Sequence, residues 1–135
     1  MLPPANDEGK FAMLSHVSIG VRDLAAARRF YDAVFAAIGA RHLAGGEGYA
    51  GYGVTAPVYW LNETAHPVPA DMRSGLHFCF DAPDRKAVDA FHGAALKAGG
   101  TDNGKPGLRP DYGPTYYASF AIDPDGYRVE AYHGG

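Results

Sequence analysis

The 135-residue chain contains one cysteine, Cys79, so no intrachain disulfide can staple it. Such usage fits a reducing, cytoplasmic setting. No run of about 18 apolar residues occurs, so no segment reads as a membrane-spanning helix. Charge of one sign is scarce as well: 12 basic and 15 acidic residues leave a net −3, with no basic stripe. Neither nucleic acid nor an anionic membrane surface is an expected partner. The opening stretch MLPPANDEGKFA has neither the basic cluster nor the apolar core of a secretory leader. Residues 1–12 read as a loose arm, either foreign to the domain or packed on a partner subunit. Also missing are a P-loop, H-E-x-x-H, G-x-S-x-G and paired cysteines. GEGYAG, Gly46–Gly51, has the G-x-G-x-x-G spacing but lies between two strand candidates. A dinucleotide fingerprint has to follow a strand and open a helix.

What is present is a pattern written twice. Hydrophobic residues form 47% of the chain, enough for one domain with a core. Placing His16 over His77, an offset of 61 (77 − 16), aligns Val17 with Phe78, Ile19 with Phe80 and Asp23 with Asp84. It also aligns Phe30 with Phe91 and Gly39 with Gly100. Each half reads as a strand, an acid that starts a helix, the helix, a glycine stop and three strands. Matching halves build matching modules that bury a shared surface. The expected helices run over about 23–38 and about 83–98, on apolar residues at helical spacing. Strand candidates lie around 41–43, 49–52, 58–61 and 101–103, then in YYASFAI and YRVEAY. GKPGLRPDYGPT reads as a loop. DPDG, Asp123–Gly126, reads as the tight turn between the last two strands.

Strand alternation sorts side chains onto two faces. In the strands opened by His16 and His77, the apolar alternates suit the helix side, and the histidines take the other. In the last strand Val129 and Ala131 suit the helix side, which leaves Arg128, Glu130 and Tyr132 with the histidines. Two neutral imidazoles and one carboxylate bind a divalent transition ion and leave coordination positions open. Taken singly, each has an ordinary reading: a strand-end histidine is usually a surface residue, and a glutamate near a C-terminus is usually solvated. Cys79 shares their face by alternation, though such a cysteine is expected to be a small buried hydrophobe.

The segments HVSIGVRDLAAARRFYDAVFAAIG, GLHFCFDAPDRKAVDAFHGAALKAGG and PGLRPDYGPTYYASFAIDPDGYRVEAY together resemble the vicinal oxygen chelate superfamily. That superfamily includes glyoxalase I, extradiol dioxygenases, and bleomycin- and fosfomycin-resistance proteins. The resemblance spans Met13 to His133. It implies an α+β fold of two βαβββ modules, about 13–62 and 75–133, forming a cupped mixed β-sheet with helices on its outer face. It also implies a homodimer and a small-molecule substrate. One divalent ion (iron, nickel, zinc or manganese) would sit on His16, His77 and Glu130. Glyoxalase I carries a fourth, acidic ligand on the last strand of its first half. Here that strand is VYWLN, without an acid, and Glu63 lies beyond it.

The reading that follows is a metal-dependent enzyme of glyoxalase or ring-cleaving dioxygenase type. Glu130 and Tyr117 are its expected catalytic residues. Arg109, Tyr112, Trp60 and Tyr59 are its expected substrate contacts, with Arg109 as a planar fork for a carboxylate or phosphate and Tyr116 a further candidate pocket tyrosine. The alternative is a metal-free protein that binds an antibiotic or toxin in the same groove, using Trp60, Phe120 and the tyrosines as stacking surface.

Overall fold

The computed structural model describes residues 13–135. The arm expected at 1–12 lies outside the described residues. The elements follow in order: β1 (Val17–Val21), α1 (Leu24–Ile38), β2 (Arg41–Gly46), β3 (Tyr49–Gly53), β4 (Tyr59–Glu63), a short 3-10 turn (Met72–Ser74), β5 (His77–Asp81), α2 (Arg85–Lys97), β6 (Thr101–Leu108), β7 (Tyr117–Ile122) and β8 (Arg128–His133). They form two mixed four-stranded sheets, ordered β1-β4-β3-β2 and β5-β8-β7-β6. In each sheet the first strand runs parallel to the last, and the other pairs are antiparallel. The α+β class and the repeat of βαβββ modules are therefore present, the sheet being two half-sheets within one chain.

Both helices begin where an aspartate can cap them. Asp23 accepts from the Ala26 N–H at 3.2 Å, and Asp84 from the Ala87 N–H at 2.8 Å. Gly39 ends α1 at φ 88°, a conformation that costs a side-chain-bearing residue free energy. The apolar stripe of α1 buries Phe30, Tyr31, Val34 and Phe35, and that of α2 buries Val88 and Phe91. The two helices pack on each other, so the modules share one core. Phe80 of β5 joins it from the second module, its ring centroid 4.9 Å from Phe35 and 5.2 Å from Tyr59.

Three strands run two or more residues further than the sequence pattern predicts. β6 continues to Leu108, into the stretch read as a loop, β2 continues to Gly46, and β4 continues to Glu63. Gly104, Pro106 and Gly107 resemble breakers, but β6 is a sheet edge and shifts register twice against β7. An edge position tolerates a missing N–H, and a bulge absorbs the glycines. GEGYAG spans the turn between β2 and β3, as a hairpin and not a phosphate loop.

The DPDG turn locks one module to the other. Asp123 is 4% exposed. Its Oδ1 accepts from the N–H groups of Asp125 and Tyr127, and its Oδ2 accepts from Tyr31 Oη of α1 at 2.6 Å. Tyr59 then donates to Tyr31 Oη at 2.9 Å, because the Tyr31 proton is already used. Tyr127 Oη donates to the Gly20 carbonyl of β1 at 2.8 Å. Burial pushes the Asp123 carboxyl up to about 6, against the hydrogen bonds that favour its charged form. Between about 3.8, the ordinary value, and about 6, the unfolded chain releases this proton while the folded chain keeps it. Rising pH therefore removes stability across that window, by up to about 3 kcal/mol, and the loss is complete above it. Urea unfolding of wild type and Asp123→Asn at several pH values checks this. The stability difference, wild type minus variant, should fall from about pH 4 to about pH 6.5 and then flatten; a difference independent of pH contradicts it.

Candidate functional site

The second module places a row of polar side chains on the sheet face turned away from its helix. His77 pairs in register with Arg128, Cys79 with Glu130, and Phe120 with Glu130 from the other side. Alternation puts all five on one face, while Val129 and Ala131 are buried in the core. Over this face opens a cleft of about 810 Å³, rimmed by Tyr112, Tyr116 and Asn103. That is the size of a small-molecule site.

Glu130 is the organising residue. It is 2% exposed, yet its carboxylate meets a partner on each oxygen. His77 Nε2 lies 2.8 Å from Oε1, and Tyr116 Oη donates to Oε2 at 2.6 Å. A buried carboxylate without such partners would cost several kcal/mol, of the order of 3–5 kcal/mol. Burial, and then the bond to Glu130, push the Tyr116 phenol well above its ordinary value, so it remains a donor. His77 is half-exposed, its ring open to the cleft. Cys79 is exposed as a residue, not buried as its type suggests, because β5 is an open sheet edge. Its sulfur is partly desolvated all the same. That desolvation, followed by the Glu130 charge, pushes the thiol up to about 12.

The sequence-predicted site residues divide sharply. His77, Glu130 and Tyr112 line the cleft together. Tyr112 is 67% exposed at the rim and stands edge-on to Tyr116, centroids 5.2 Å apart. Tyr117 does not join them. It follows Tyr116 by one residue, faces the helix side and donates to Asp89 of α2 at 2.6 Å. The tyrosine that meets Glu130 is Tyr116. Tyr59 is also displaced from the expected role: it is 2% exposed in the core, its hydroxyl committed to Tyr31. Arg109 spends its guanidinium on the Lys105 carbonyl at 2.6 Å and covers the Phe120 ring at 5.2 Å. The cation in the cleft is Arg128, which the face argument had placed there without assigning it a role.

The first module carries His16 and Trp60. His16 precedes β1, is exposed, and lies 3.0 Å through Nδ1 from Ser15 Oγ. The sheet registers pair Val17 with Tyr59 and Phe78 with Val129, so Trp60 occupies the place that Glu130 has in the second module. Its ring lies across Gly51, where an added Cβ would come within 2.6 Å of it. Tyr49 tilts beside it at 6.2 Å. At the position of Glu130 the first module thus has an aromatic platform in place of an acid. Glu63, expected beyond this strand, is its last residue, and it caps α1 by accepting from the Leu24 N–H at 2.9 Å. Among the described residues no three His, Cys, Asp or Glu side chains come close enough to hold an ion. The chain thus supplies an imidazole and a carboxylate side by side, and its other candidate ligand in a separate module.

The family model Glyoxalase/Bleomycin resistance protein/Dioxygenase superfamily matches residues 13–131. The chain belongs to that superfamily. Its fold is shared with a glyoxalase/bleomycin resistance protein from Albidiferax ferrireducens T118 at 31% identity and a TM-score of 0.76, covering 90% of this chain and 98% of that one. The fosfomycin resistance protein FosX from Mesorhizobium loti superposes at 21% identity and a TM-score of 0.67, covering 93% and 94%. A point mutant of FosX from Listeria monocytogenes, complexed with Mn(II) and 1S,2S-dihydroxypropylphosphonic acid, superposes at 17% identity and a TM-score of 0.68, covering 93% and 92%. These last two share the fold. No curated protein matches. No helix among the described residues is long and apolar enough to cross a membrane.

The thiol provides a probe of the cup. At pH 8, alkylation of Cys79 in this superfamily member should run at least about tenfold slower than that of a free thiol, because little thiolate forms. Glu130→Gln should accelerate it, and Tyr117→Phe should not. Equal rates for wild type and Glu130→Gln would remove Glu130 from the neighbourhood of the sulfur.

Proposed function

We propose that this chain is a metal-dependent enzyme of the glyoxalase/dioxygenase type, working as a homodimer. His77 and Glu130 of one subunit and His16 of the partner subunit would hold one divalent ion. The observation that carries the reading is the His77–Glu130 pair, 2.8 Å apart at the floor of an open cleft, from strands far apart in sequence. Imidazole and carboxylate are suitable donors for such an ion. Two unpaired edges support the dimer: β1, headed by His16, and β5, headed by His77, each bond to one neighbour only. A bare parallel edge of this kind invites pairing with another chain. Setting one copy's β1 beside the other's β5 brings the two histidines into one cup.

When bound, the ion supplies Lewis acidity toward two adjacent oxygens of a substrate. The chain's own residues supply the rest. Glu130 is the carboxylate at the reacting end, and His77 faces its Oε1. Tyr116 is a positioning residue that holds Oε2 and fixes the carboxylate plane. The platform of Trp60 and Tyr49, contributed by the partner subunit, would close the cup against water and stack on a flat substrate. The three-ligand set lacks the glyoxalase acid, since Trp60 stands in its place. A proton shuttle through a fourth carboxylate is therefore not part of the proposal.

Mixed dimers test both halves of the reading. Wild type loaded with Mn(II), Ni(II) or Zn(II) should bind about one ion per chain, and His16→Ala and His77→Ala should each lose it. Refolding the two variants together should restore about one site per mixed dimer, because an intact His16 meets an intact His77 only across subunits. No metal uptake by wild type under any loading condition sinks the metal reading. Restored uptake absent from the mixture places the ligands within one chain. The metal-free alternative draws on the missing third ligand within the chain and the aromatic lining. It predicts ligand affinity unchanged by exhaustive chelation.

A further inference from the structure

Arg128 is the cleft residue with no assigned task. It opens β8, two residues before Glu130 and on the same face. It is half-buried, and Nε donates to the Leu76 carbonyl at 3.2 Å, which fixes the plane of the guanidinium. Neither terminal nitrogen has a hydrogen-bond partner or an acidic side chain in bonding range among the described residues. The contrast with Arg109 is direct: that guanidinium is spent on backbone carbonyls and on the Phe120 ring. A half-buried cation facing an open cleft is an electrostatic deficit that an oxyanion repairs. Two free Nη groups held in one plane match the two oxygens of a carboxylate or phosphonate.

The rest of the lining describes what the anion is attached to. Phe120 lies beside Glu130 and is backed by Arg109, with Gly104 leaving it room: a Cβ there would come 2.9 Å from its ring. Tyr112 and Tyr116 stand edge to face beside one another at the rim. Asp111 is the one lining acid besides Glu130. It is exposed, so solvent screens its opposition to an anion. Aromatic surface thus flanks the cation.

From this we infer that the cup selects small acids that carry a flat, apolar body. Arg128 would bind their carboxylate or phosphonate, and Phe120 with Tyr112 would contact the body. Arg128 is a specificity-determining residue, distinct from the ion-holding pair. This rests on reading the same cleft as the substrate cup, but not on a metal being there.

The test uses full-length, metal-stripped protein freed of chelator, titrated calorimetrically with phenylacetate, phenylphosphonate and benzyl alcohol. At least one acid should bind about tenfold or more tightly than the neutral alcohol. Arg128→Gln should weaken that acid by about tenfold or more and leave the alcohol unchanged. Arg128→Lys should recover part of the loss, since it restores charge without the planar fork. The tighter of the two acids identifies the headgroup. Metal uptake by the wild type is measured separately, so a failure of the metal reading, no ion bound but acids still bound through Arg128, is told apart from a failure here. Equal acid affinity in wild type and Arg128→Gln, or no preference for acids over the alcohol, overturns the inference. Thermal melting of Arg128→Gln and Arg128→Lys confirms that a loss is not unfolding.

Discussion

A carboxylate removed from water in the floor of a sheet has to be compensated, and that constraint organises the second module. Glu130 is at the centre of a four-stranded sheet face, 2% exposed. His77 from β5 and Tyr116 from the loop before β7 each cover one oxygen. Removing either would strand an acceptor in low dielectric, where an unmet polar group costs about 1–3 kcal/mol. Such a cluster restrains a sheet register, because a slip of β8 by one residue would carry Glu130 to the helix side, away from His77 and Tyr116. The same cluster would suit a divalent ion, since two donors are already gathered there.

The duplication explains both the fold and its asymmetry. Each module buries one face under its helix and leaves the other open, and the DPDG turn pins the two together through Tyr31, Tyr59 and Asp123. The open faces then differ. Where the second module has Glu130, the first has Trp60 over Gly51; where the second has His77, the first has His16. One module offers an imidazole, a carboxylate and a cation, the other an aromatic platform and one imidazole. Each face ends in an unpaired parallel edge. That division of labour is the basis for proposing chemistry at the junction of two copies.

The repeat, the capping aspartates and the cup face of β8 were legible because they rest on local rules: alternation, helical spacing and turn chemistry. The placement of Glu130 and His77 on one face came from the same alternation. Of the candidate tyrosines Tyr116 and Tyr117, it is Tyr116 that meets Glu130; it lies outside the strand, where alternation within β7 could not distinguish the two. Tyr59 and Trp60 are neighbours on one strand, so at most one faces the cup; only the register shows it is Trp60. Arg109 looked free because its partners are backbone carbonyls, which carry no sequence signal. The length of β6 was hidden by Gly104 and Pro106, whose strand-breaking character an edge position with bulges tolerates.

Diffraction from a crystal of the protein soaked with Mn(II), recorded for anomalous signal, tests the central claim most directly. One peak per subunit is predicted beside Glu130, within coordination distance of His77 and of His16 of the partner subunit. Strong peaks elsewhere, or a well-ordered dimer whose His16 side chains face solvent far from Glu130, would contradict it.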